Sequence, residues 1–442
     1  MQKVTSLFKR YTYLVLCISI ICLVCLSCSK EKPVGKSISV ALFQAPASQA
    51  LIKMIPEFEK ESGIKVVYEI LPYADLKAKV EQQFFAKTAN YDVIMADCIW
   101  IPSFAERGFL GKLNEKAWKP DQYDFADILP ALDDYLGRYP KGGPRYGMPF
   151  MSNTHMMAYR PSIVKPAVEA LGMKLPGDSP ETAWTWEQYL KVVKAITEKG
   201  RNKNPQYYGT SLQARAGAWI IYEWYSELFG FVKDEKARIS GLPVFAEDAS
   251  KAMQYYAALY KYAPKEALTW GHEEETSAMC LGKCVMDATS NVELAANLLK
   301  TDCGGEGAIV FSYPPVGISG KSSPDMGGYG LLLSANSKAS AEASSFILWA
   351  ASKDIHKRVV LEGGSPIRIS EIRDKEVLSK FPYLKFYDRL IQDSVYRARI
   401  PQWPELQDII SRELTSVMKG DKDAASASKA IQGWIESNVV KK

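Results

Sequence analysis

Apolar and polar residues along this chain follow two periodicities, one typical of buried strands and one typical of amphipathic helices. Residues 37–42 and 64–70 are rich in β-forming residues, and residues 91–96 form a short apolar run. Between them, residues 48–63 and 75–88 repeat apolar side chains at helical spacing. An order of strand, helix, strand, helix, strand is typical of a parallel sheet. The pattern therefore predicts an α/β fold.

Beyond this first unit, strand and helix patterns keep alternating, and after residue 341 the chain is mostly helical. Further strands are expected at residues 283–288 and 307–311. Helices are expected between and around them, at residues 186–199, 217–230, 249–262 and 292–299. Gly- and Pro-rich stretches mark loops or crossings between domains, at residues 137–147, 172–180, 200–206 and 314–328.

The longest apolar run, residues 13–28, lies near the N-terminus and stops abruptly at the polar residues 29–33. Basic residues precede the run, and its length is typical of a secretory signal rather than a membrane span. Its end, Ser27-Cys28, resembles the lipobox of bacterial lipoproteins, in which the cysteine is acylated and becomes the N-terminus. A plain signal peptide is the alternative.

On this interpretation residues 1–27 are removed as a lipoprotein signal peptide, and Cys28 carries the lipid. Residues 28–36, composed largely of Ser, Lys, Glu, Pro and Gly, form a tether that holds the protein off the membrane. The mature protein would therefore work outside the cytoplasm, anchored to the bacterial cell membrane.

The charge balance argues against a nucleic-acid partner. The chain has 55 basic and 50 acidic residues, spread without a concentrated basic footprint. Its 10 Trp and 24 Tyr could offer flat faces for sugar rings, although packing accounts for most such residues in any protein. Roughly 410 residues remain after the signal, which is enough for two domains of ordinary size.

Cysteines outside the signal point to a disulfide rather than a metal site. Cys303 is close enough in sequence to pair with Cys280 or Cys284, and an oxidising compartment permits the bond. Zinc binding by Cys280 and Cys284 is a weaker alternative, because no second Cys or His pair has ligand spacing. His272 precedes glutamates, but Thr276 stands where a zinc protease needs its second histidine. We expect no metal and no cofactor.

Ordered segments along the whole mature chain resemble the extracellular solute-binding proteins of ABC transporters, in the branch that binds sugars and polyols. The resemblance begins with Phe58-Glu59 and Gly63-Ile-Lys-Val66, continues with Tyr91-Asp-Val-Ile-Met-Ala-Asp97, and includes Tyr146-Gly-Met-Pro-Phe150. Gly328-Tyr-Gly-Leu331 and a weaker match over residues 401–437 complete the order.

This resemblance implies a two-lobed periplasmic-binding-protein-like fold of class II, with a hinge between the lobes. Lobe I is expected to comprise residues 37–150 and 278–321, and lobe II residues 151–277 and 322–442. The chain would cross between lobes near residues 150–154, 270–277 and 321–328. A sugar or polyol would bind between the lobes, and the protein, expected to be a monomer, would deliver it to the permease subunits of an ABC importer.

Two tryptophans and a carboxylate are the first candidates for the ligand site. Asp97 ends a predicted strand, where a carboxylate would face a ligand, although it could equally cap the following helix. Trp100 could stack on a sugar ring but is more simply explained by packing. Trp270 lies in a predicted loop and is the preferred aromatic platform.

Further candidates are weaker and each has a structural alternative. Asn153 lies at the first expected crossing, where it could touch the solute or satisfy backbone groups, and Asp287 ends the strand at residues 283–288. Tyr329 lies in a glycine-rich segment expected to be a turn, at a position where the family has an aromatic near the ligand. Arg368 could donate to hydroxyl groups or form a surface ion pair with Glu371, and Gln44 follows the first strand.

Two other functions remain open at this point. A secreted or lipid-anchored carbohydrate hydrolase would need a pair of carboxylates around the bond that it cleaves. The sequence has no nucleophile elbow or zinc motif that favours such an enzyme. A solute sensor coupled to a receptor would have the same features as a transport protein.

The lipobox leads to a prediction about membrane attachment. We expect Cys28→Ala to abolish acylation, so that protein from which the signal peptide has been removed is recovered in the soluble fraction, because no other segment provides a hydrophobic anchor after processing. Fractionation of cells with metabolic labelling by a palmitate analogue measures both effects. Full partitioning of the cleaved Cys28→Ala protein with membranes would show that the anchor is not this lipid.

Overall fold

The computed structural model describes residues 36–115, 123–203, 205–242, 246–300, 303 and 307–440. The predicted signal peptide, Cys28 and nearly all of the predicted tether lie outside the described residues. Within the described ranges, every helix is too short or too polar to cross a membrane.

Strands and helices alternate through much of the chain, as the sequence predicts. The strands are β1 (Ser37–Phe43), β2 (Lys65–Leu71), β3 (Val93–Asp97), β4 (Gly147–Asn153), β5 (His155–Tyr159), β6 (Tyr208–Thr210), β7 (Cys284–Asn291), β8 (Val310–Ser312), β9 (Asp325–Leu333) and β10 (Val395–Tyr396). The longer helices are α1 (Pro46–Ser62), α2 (Tyr73–Ala86), α3 (Ile101–Glu106), α4 (Pro161–Ala170), α5 (Trp186–Gly200), α6 (Ala218–Phe231), α7 (Glu235–Ser240), α8 (Ala246–Tyr260), α9 (His272–Cys280), α10 (Val292–Leu298), α11 (Ser340–Ala350), α12 (Lys353–Leu361), α13 (Lys375–Lys380), α14 (Tyr387–Asp393), α15 (Trp403–Lys419) and α16 (Ala424–Ile435). Short 3₁₀ or irregular helical segments lie at Phe125–Asp127, Pro130–Leu132, Asp133–Gly137, Lys265–Thr269, Glu371–Arg373, Pro382–Phe386 and Glu436–Val440.

The first lobe is built on a six-stranded sheet. Strands β2, β1 and β3 are parallel neighbours, and β9 pairs antiparallel with β3. Strands β4 and β10 both pair with β9, so β9 holds several parts of the chain together. Helix α1 buries its predicted face, Leu51, Ile55 and Phe58, and the Phe58 ring lies 5.2 Å from that of Phe346 on α11. Burial of such apolar side chains is the main stabilising contribution to this lobe.

The second lobe is built on a four-stranded sheet in the order β6, β7, β5, β8. Strand β5 pairs antiparallel with both β7 and β8, and β6 lies parallel to β7. Helix α5 covers β6, whereas α6, α8, α15 and α16 pack on one another as a helical layer. The Thr185 hydroxyl accepts from the Gln188 backbone N–H, and the Gln188 side chain accepts from the Thr185 N–H, which fixes the start of α5.

The division of the chain between the lobes differs from the expected one. Strand β7 lies within residues 278–321, which were assigned to lobe I, but it pairs with β5 in the second sheet. Strand β9 lies within residues 322–442, which were assigned to lobe II, but it pairs with β3 in the first sheet. Hydrogen bonding between strands decides which sheet a strand joins, and local sequence phrases carry no information on that pairing.

The crossings between lobes follow from these pairings. The chain crosses between β4 and β5 and again just before β9, close to two of the expected positions. The expected crossing at residues 270–277 is wrong, because α9 stays in the second lobe and packs on α10 and β7. The last crossing instead follows β10, after which α15 and α16 join the helical layer of the second lobe.

The glycines around Tyr329 belong to a strand and not to the expected turn. A Cβ atom on Gly330 would lie 2.1 Å from the Leu136 carbonyl oxygen, and one on Gly328 would lie 2.3 Å from that of Met151. Gly328 also has a φ of +132°, which side-chain-bearing residues rarely adopt. Close approach of neighbouring backbones therefore explains these glycines.

A disulfide joins Cys280 to Cys303, one of the two pairings expected from the sequence. It ties the end of α9 to the segment that follows α10. Cys284 is a free, fully buried thiol at the start of β7.

Candidate functional site

The cleft between the two lobes contains two neighbouring hollows. The deep hollow has a volume of about 20 Å³. It is lined by Asp97 and Tyr329 of the first lobe and by Trp219 and His272 of the second lobe. The outer hollow has a volume of about 650 Å³ and opens toward solvent. Tyr73, Ala218, Trp219 and His272 line both hollows, so the two form one continuous candidate site.

The first lobe supplies a carboxylate that is held in place by its neighbours. Asp97 ends β3, and its Oδ2 accepts from the Tyr73 hydroxyl at 2.8 Å. Its Oδ1 accepts from the Ile99 backbone N–H at 3.3 Å. Trp100 Nε1 donates to the Tyr73 hydroxyl at 3.2 Å. Burial, and secondly the adjacent Asp97, raises the pKa of Tyr73, so Tyr73 stays a hydrogen-bond donor to this carboxylate.

Aromatic rings from both lobes meet across the cleft. Phe43 stacks on Tyr329 with a ring distance of 4.7 Å and an interplanar angle of 11°. The Tyr73 ring lies 5.5 Å from the Trp219 ring of the second lobe. Trp219 is only partly buried, and it opens α6 at the rim of both hollows. It is therefore an aromatic face available to a ligand.

The second lobe contributes a histidine and a glutamate that are paired with each other. His272 Nδ1 lies 2.9 Å from Glu293 Oε1, and both side chains are buried. The His272 ring is 4.3 Å from that of Trp219 and 5.3 Å from that of Tyr222. His272 opens α9 and Glu293 lies in the first turn of α10, directly after β7. Loops and helix starts beyond strand ends thus form this wall, as is usual in α/β proteins.

The floor of the cleft is made where the chain passes between the lobes. Asn153 Nδ2 donates to Asn291 Oδ1 at 3.2 Å, joining the end of β4 to the end of β7. Arg397 follows β10, and its Nε lies 3.0 Å from Oδ2 of Asp325 at the start of β9. The guanidinium carbon of Arg397 lies 5.0 Å from the centre of the Tyr222 ring. Groups at the floor therefore connect both sheets.

The basic side chains that line the cleft have carboxylate partners within the protein. Arg397 faces Asp325, His272 faces Glu293, and Arg215 at the rim faces Glu274 at 3.4 Å. Asp97 is balanced by hydrogen-bond donors rather than by a cation in direct contact. Among the described residues the cleft thus offers no unpaired cation to an anionic ligand, while Asp97 remains a carboxylate satisfied by neutral donors alone.

The structure brings together half of the residues predicted from the sequence. Asp97, Asn153 and Tyr329 line the deep hollow, and Gln44 lines the outer one. Trp100 lies behind Tyr73, 3% exposed, and supports the site by packing and by its hydrogen bond to the Tyr73 hydroxyl. The packing alternative for Trp100 is thus the one that the structure shows.

Trp270, the preferred platform, is not part of the cleft. It follows the helical turn Lys265–Thr269 in the second lobe, is 8% exposed, and carries the Lys283 ammonium 5.3 Å from its ring centre. A loop position was expected to leave this ring open, but the 3₁₀ turn folds it onto the lobe. This expectation was wrong because the turn could not be recognised from the sequence.

Arg368 has a structural role in the first lobe. It is fully buried, and its guanidinium donates to the carbonyl oxygens of Ala351, Tyr123 and Asp124. Its backbone N–H donates to Glu371 Oε2 at 3.0 Å, so neither the cleft position nor the surface ion pair is correct. The guanidinium instead satisfies carbonyl groups that would otherwise be buried without partners.

Asp287 belongs to a cluster of buried carboxyl groups behind the wall of the second lobe. Its Oδ1 accepts from the Thr289 N–H at 2.9 Å, and the Thr289 hydroxyl donates to Glu223 Oε1 at 3.0 Å. Glu227 and Glu275 complete the cluster, and each of these acidic residues is at most 2% exposed. Burial raises the pKa of Glu223 to about 8 and that of Asp287 to about 7. No group of side chains among the described residues is arranged to hold a metal ion.

Several residues of the site were not predicted. Tyr73, Trp219, Tyr222, Glu293 and Arg397 all line the cleft or its floor. Trp219 and Tyr222 lie on α6, which is so apolar that its periodicity does not separate a ligand-facing side from a core side. Glu293 follows the observed end of β7 at Asn291, but the predicted strand ended at residue 288, so the signal that identified Asp97 did not reach Glu293.

Sequence and structure comparisons identify the class of protein. The chain matches the profile of the bacterial extracellular solute-binding protein family over residues 43–357. It is 23% identical over 373 residues to a probable ABC transporter-binding protein of Deinococcus radiodurans, covering 81% of this chain and 82% of that protein. The chain therefore belongs to the bacterial extracellular solute-binding proteins, as the resemblance implied.

Solved structures confirm the two-lobed fold. An ABC transporter solute-binding protein of Agrobacterium radiobacter in complex with ribitol has a TM-score of 0.77 and 24% identity, covering 90% of this chain and 97% of that chain. A solute-binding protein of Agrobacterium vitis with bound D-mannitol has a TM-score of 0.76 and 23% identity, covering 92% and 99%. The family consists of binding proteins, and nothing in these comparisons favours the hydrolase alternative.

The buried carboxyl cluster predicts a pH dependence of stability. Because the folded-state pKa values of Glu223 and Asp287 are raised, the folded protein retains protons that the unfolded chain releases above about pH 4–5. Stability should therefore fall as pH rises from about 5 to 8, by about 1.4 kcal/mol per pH unit for each such proton. Urea unfolding at several pH values measures the slope.

Glu223→Gln is the matched variant, because it removes one titrating group and keeps the side-chain size. Its unfolding free energy should decline less steeply over this pH range than that of the wild-type protein. Glu247→Gln, on the exposed first turn of α8, is the control and should keep the wild-type slope. Identical slopes for wild type and Glu223→Gln would show that Glu223 is ionised in the folded protein.

Proposed function

We propose that this solute-binding protein captures a neutral polyhydroxylated solute, a sugar or polyol, between its lobes and delivers it to an ABC importer. The observation that carries the proposal is the composition of the cleft. It combines aromatic faces at Trp219 and Tyr329 with buried hydrogen-bonding groups. Its arginine, Arg397, is paired with Asp325, and its carboxylate Asp97 already accepts hydrogen bonds from the protein. Sugars and polyols present C–H surface to rings and hydroxyl groups to polar atoms, which matches this composition.

The charge arrangement favours neutral solutes over the charged ones that other solute-binding proteins carry. A polyamine would need carboxylates that are free to accept from its ammonium groups, but Glu293 is hydrogen-bonded to His272 and Asp97 to Tyr73. The carboxylate of an amino acid would need a free cation, but Arg397 is engaged by Asp325. Breaking either buried pair to bind a charged group would leave the partner unsatisfied, which is costly.

The bound solutes of the structural neighbours support the same proposal. Ribitol and D-mannitol are acyclic, uncharged polyols, and the proteins that hold them share the two-lobed fold. Closure of the lobes around the solute would be a hinge motion, and the permease subunits would recognise the closed form. The protein would act as a monomer outside the cytoplasm, attached through a lipid on Cys28.

A thermal-shift screen tests this proposal directly. A solute that binds only the folded protein stabilises it by mass action and so raises its melting temperature. At a solute concentration of 100 times Kd, the free energy of unfolding increases by about 2.7 kcal/mol. We expect stabilisation by at least one polyol or sugar in a panel, and none by putrescine or acidic and basic amino acids. Stabilisation by charged solutes alone would contradict the proposal, and glycoside turnover would favour a hydrolase.

Two tryptophan variants then test the site with the solute that the screen identifies. Trp219→Ala should weaken binding by about tenfold, equivalent to about 1.4 kcal/mol, because a stacking face is lost. Trp270→Ala should leave the affinity within about twofold but lower stability by about 3–5 kcal/mol, because this ring is packed. Titration calorimetry and urea unfolding measure the two effects. If Trp270→Ala weakened binding and Trp219→Ala did not, Trp219 would not be the aromatic platform of the site.

A further inference from the structure

Four carboxyl groups lie buried together behind the wall that the second lobe presents to the cleft. The members of this buried carboxyl cluster are Glu223 and Glu227 of α6, Glu275 of α9 and Asp287 of β7. Acidic side chains are rarely buried without a cationic partner, because an isolated charge is costly to hold away from water. Among the described residues, the hydrogen-bonding neighbours of the cluster are hydroxyl and amide groups and no cation is paired with it.

Hydrogen bonds hold only part of the cluster. Glu223 accepts from the Gln213 backbone N–H at 2.8 Å and from the hydroxyl groups of Tyr256 and Thr289. Asp287 accepts from the Thr289 N–H. The buried polar atoms without a hydrogen-bond partner here are Glu227 Oε2, Glu275 Oε1, and Oε1 and Nε2 of the fully buried Gln213 side chain. The cluster therefore has few donors with which to stabilise negative charge.

Titratable groups of the neighbouring elements add no positive charge to the cluster. Those that face it are Tyr189 of α5, Tyr255 and Tyr256 of α8 and the Cys284 thiol of β7. Burial above all raises the pKa of each of them, so they stay neutral. The nearby basic side chains are engaged elsewhere, Lys283 by Glu266 and Arg160 by carbonyl oxygens at the end of α9.

Four carboxylates this close together would repel one another strongly in a medium of low dielectric constant. Full ionisation of the cluster therefore requires that water enter or that its elements move apart. The cluster is stable as a packed unit only while protons remain on it.

Every element that contributes to the cluster also carries a group of the cleft. These cleft groups are Trp219 and Tyr222 on α6, His272 on α9 and Asn291 at the end of β7. Glu223, Glu275 and Asp287 lie no more than four residues from them along the chain. A separation of α6, α9 and β7 at the cluster would therefore displace the cleft groups relative to one another.

We propose that the buried carboxyl cluster couples solute capture to protonation. The protonated cluster holds α6, α9 and β7 together as the wall that binds solute, and its ionisation loosens that wall and weakens binding. This inference rests on the proposed function and adds a regulation to it. Glu223 and Asp287 are positioning residues, because they act through these elements and line neither hollow. Coupling is reciprocal, so solute binding must also favour protonation of the cluster.

The pH range of the effect follows from the groups that ionise first. Burial raises the pKa of Asp287 to about 7 and that of Glu223 to about 8. Protons therefore leave the solute-free protein between about pH 6 and pH 9. Solute affinity should be highest near pH 6 and fall tenfold or more by pH 9. Near pH 7.5 the protein should take up protons when it binds solute.

Titration calorimetry of wild-type protein with ribitol, D-mannitol, D-glucose and maltose at pH 6, 7.5 and 9 tests the coupling. Repetition at pH 7.5 in phosphate and in Tris, whose ionisation enthalpies differ, measures the protons taken up on binding. Equal affinity at pH 6 and pH 9, or binding without proton uptake, would overturn the coupling and leave the proposed function intact. Absence of binding by all four solutes at pH 6 would overturn both.

A double variant, Glu223→Gln with Asp287→Asn, tests whether the cluster is the source of the effect. Both amides keep the side-chain size but cannot ionise, and the cleft groups His272 and Glu293 are unchanged. The change in affinity between pH 6 and pH 9 should shrink to less than threefold, and proton uptake should fall. Glu247→Gln, on the exposed start of α8, is the control and should keep the wild-type dependence. Full pH dependence in the double variant would show that groups in the cleft titrate instead, and would overturn the proposal.

Infrared spectra of solute-free protein test the cluster itself. Protonated carboxyl groups absorb apart from carboxylates, and exposed acidic residues are ionised at pH 6. Wild-type protein should show protonated carboxyl groups at pH 6 that diminish by pH 9 and partly return when solute is added. If thermal melting shows that the double variant is unfolded, this wild-type measurement decides. Absence of protonated carboxyl groups in folded wild-type protein at pH 6 would contradict the proposal.

Discussion

Strand β9 is the constraint on which the rest of this structure depends. It pairs with β3, β4 and β10, and so joins segments from distant parts of the chain into the first sheet. Its first residues also form the cleft floor. Asp325 pairs there with Arg397, and Tyr329 stacks on Phe43. A Cβ atom on Gly327 would lie 2.9 Å from a guanidinium nitrogen of Arg397, so any larger residue here would displace this guanidinium. Strand β9 thus holds the first sheet together and positions residues at the crossing between the lobes and in the ligand site.

Pairing of charges within the protein gives the cleft its chemical character. Each buried ion pair is costly to form and more costly to break, because removal of one partner leaves an uncompensated charge in a medium of low dielectric constant. The Arg397–Asp325 pair therefore resists displacement by a charged solute, and Glu293 is held by its hydrogen bond with His272. What remains open to a ligand is hydrogen bonding and contact with aromatic faces, which are modest in strength and suited to reversible capture and release.

Much of the fold could be predicted from local patterns, since periodicity identified β1, α1, β2, α2 and β3 with small errors at their ends. The assignment of β7 and β9 to lobes was wrong because strand pairing is decided by contacts distant in sequence. The location of Asp97 at the cleft could be predicted, because position after a strand is a local signal. Site prediction failed for Trp270 and Arg368, because burial of a Trp or Arg depends on neighbours from other segments.

The central claim is that the cleft selects neutral solutes, and the charge of a single solute can be varied to test it. Titration calorimetry with D-glucitol, 1-amino-1-deoxy-D-glucitol and D-gluconate compares an uncharged, a cationic and an anionic form of nearly equal size. We predict that D-glucitol binds tenfold or more tightly than either charged form at low ionic strength, where electrostatic preferences are strongest. Tighter binding of the amine or of the carboxylate would contradict this account of the site.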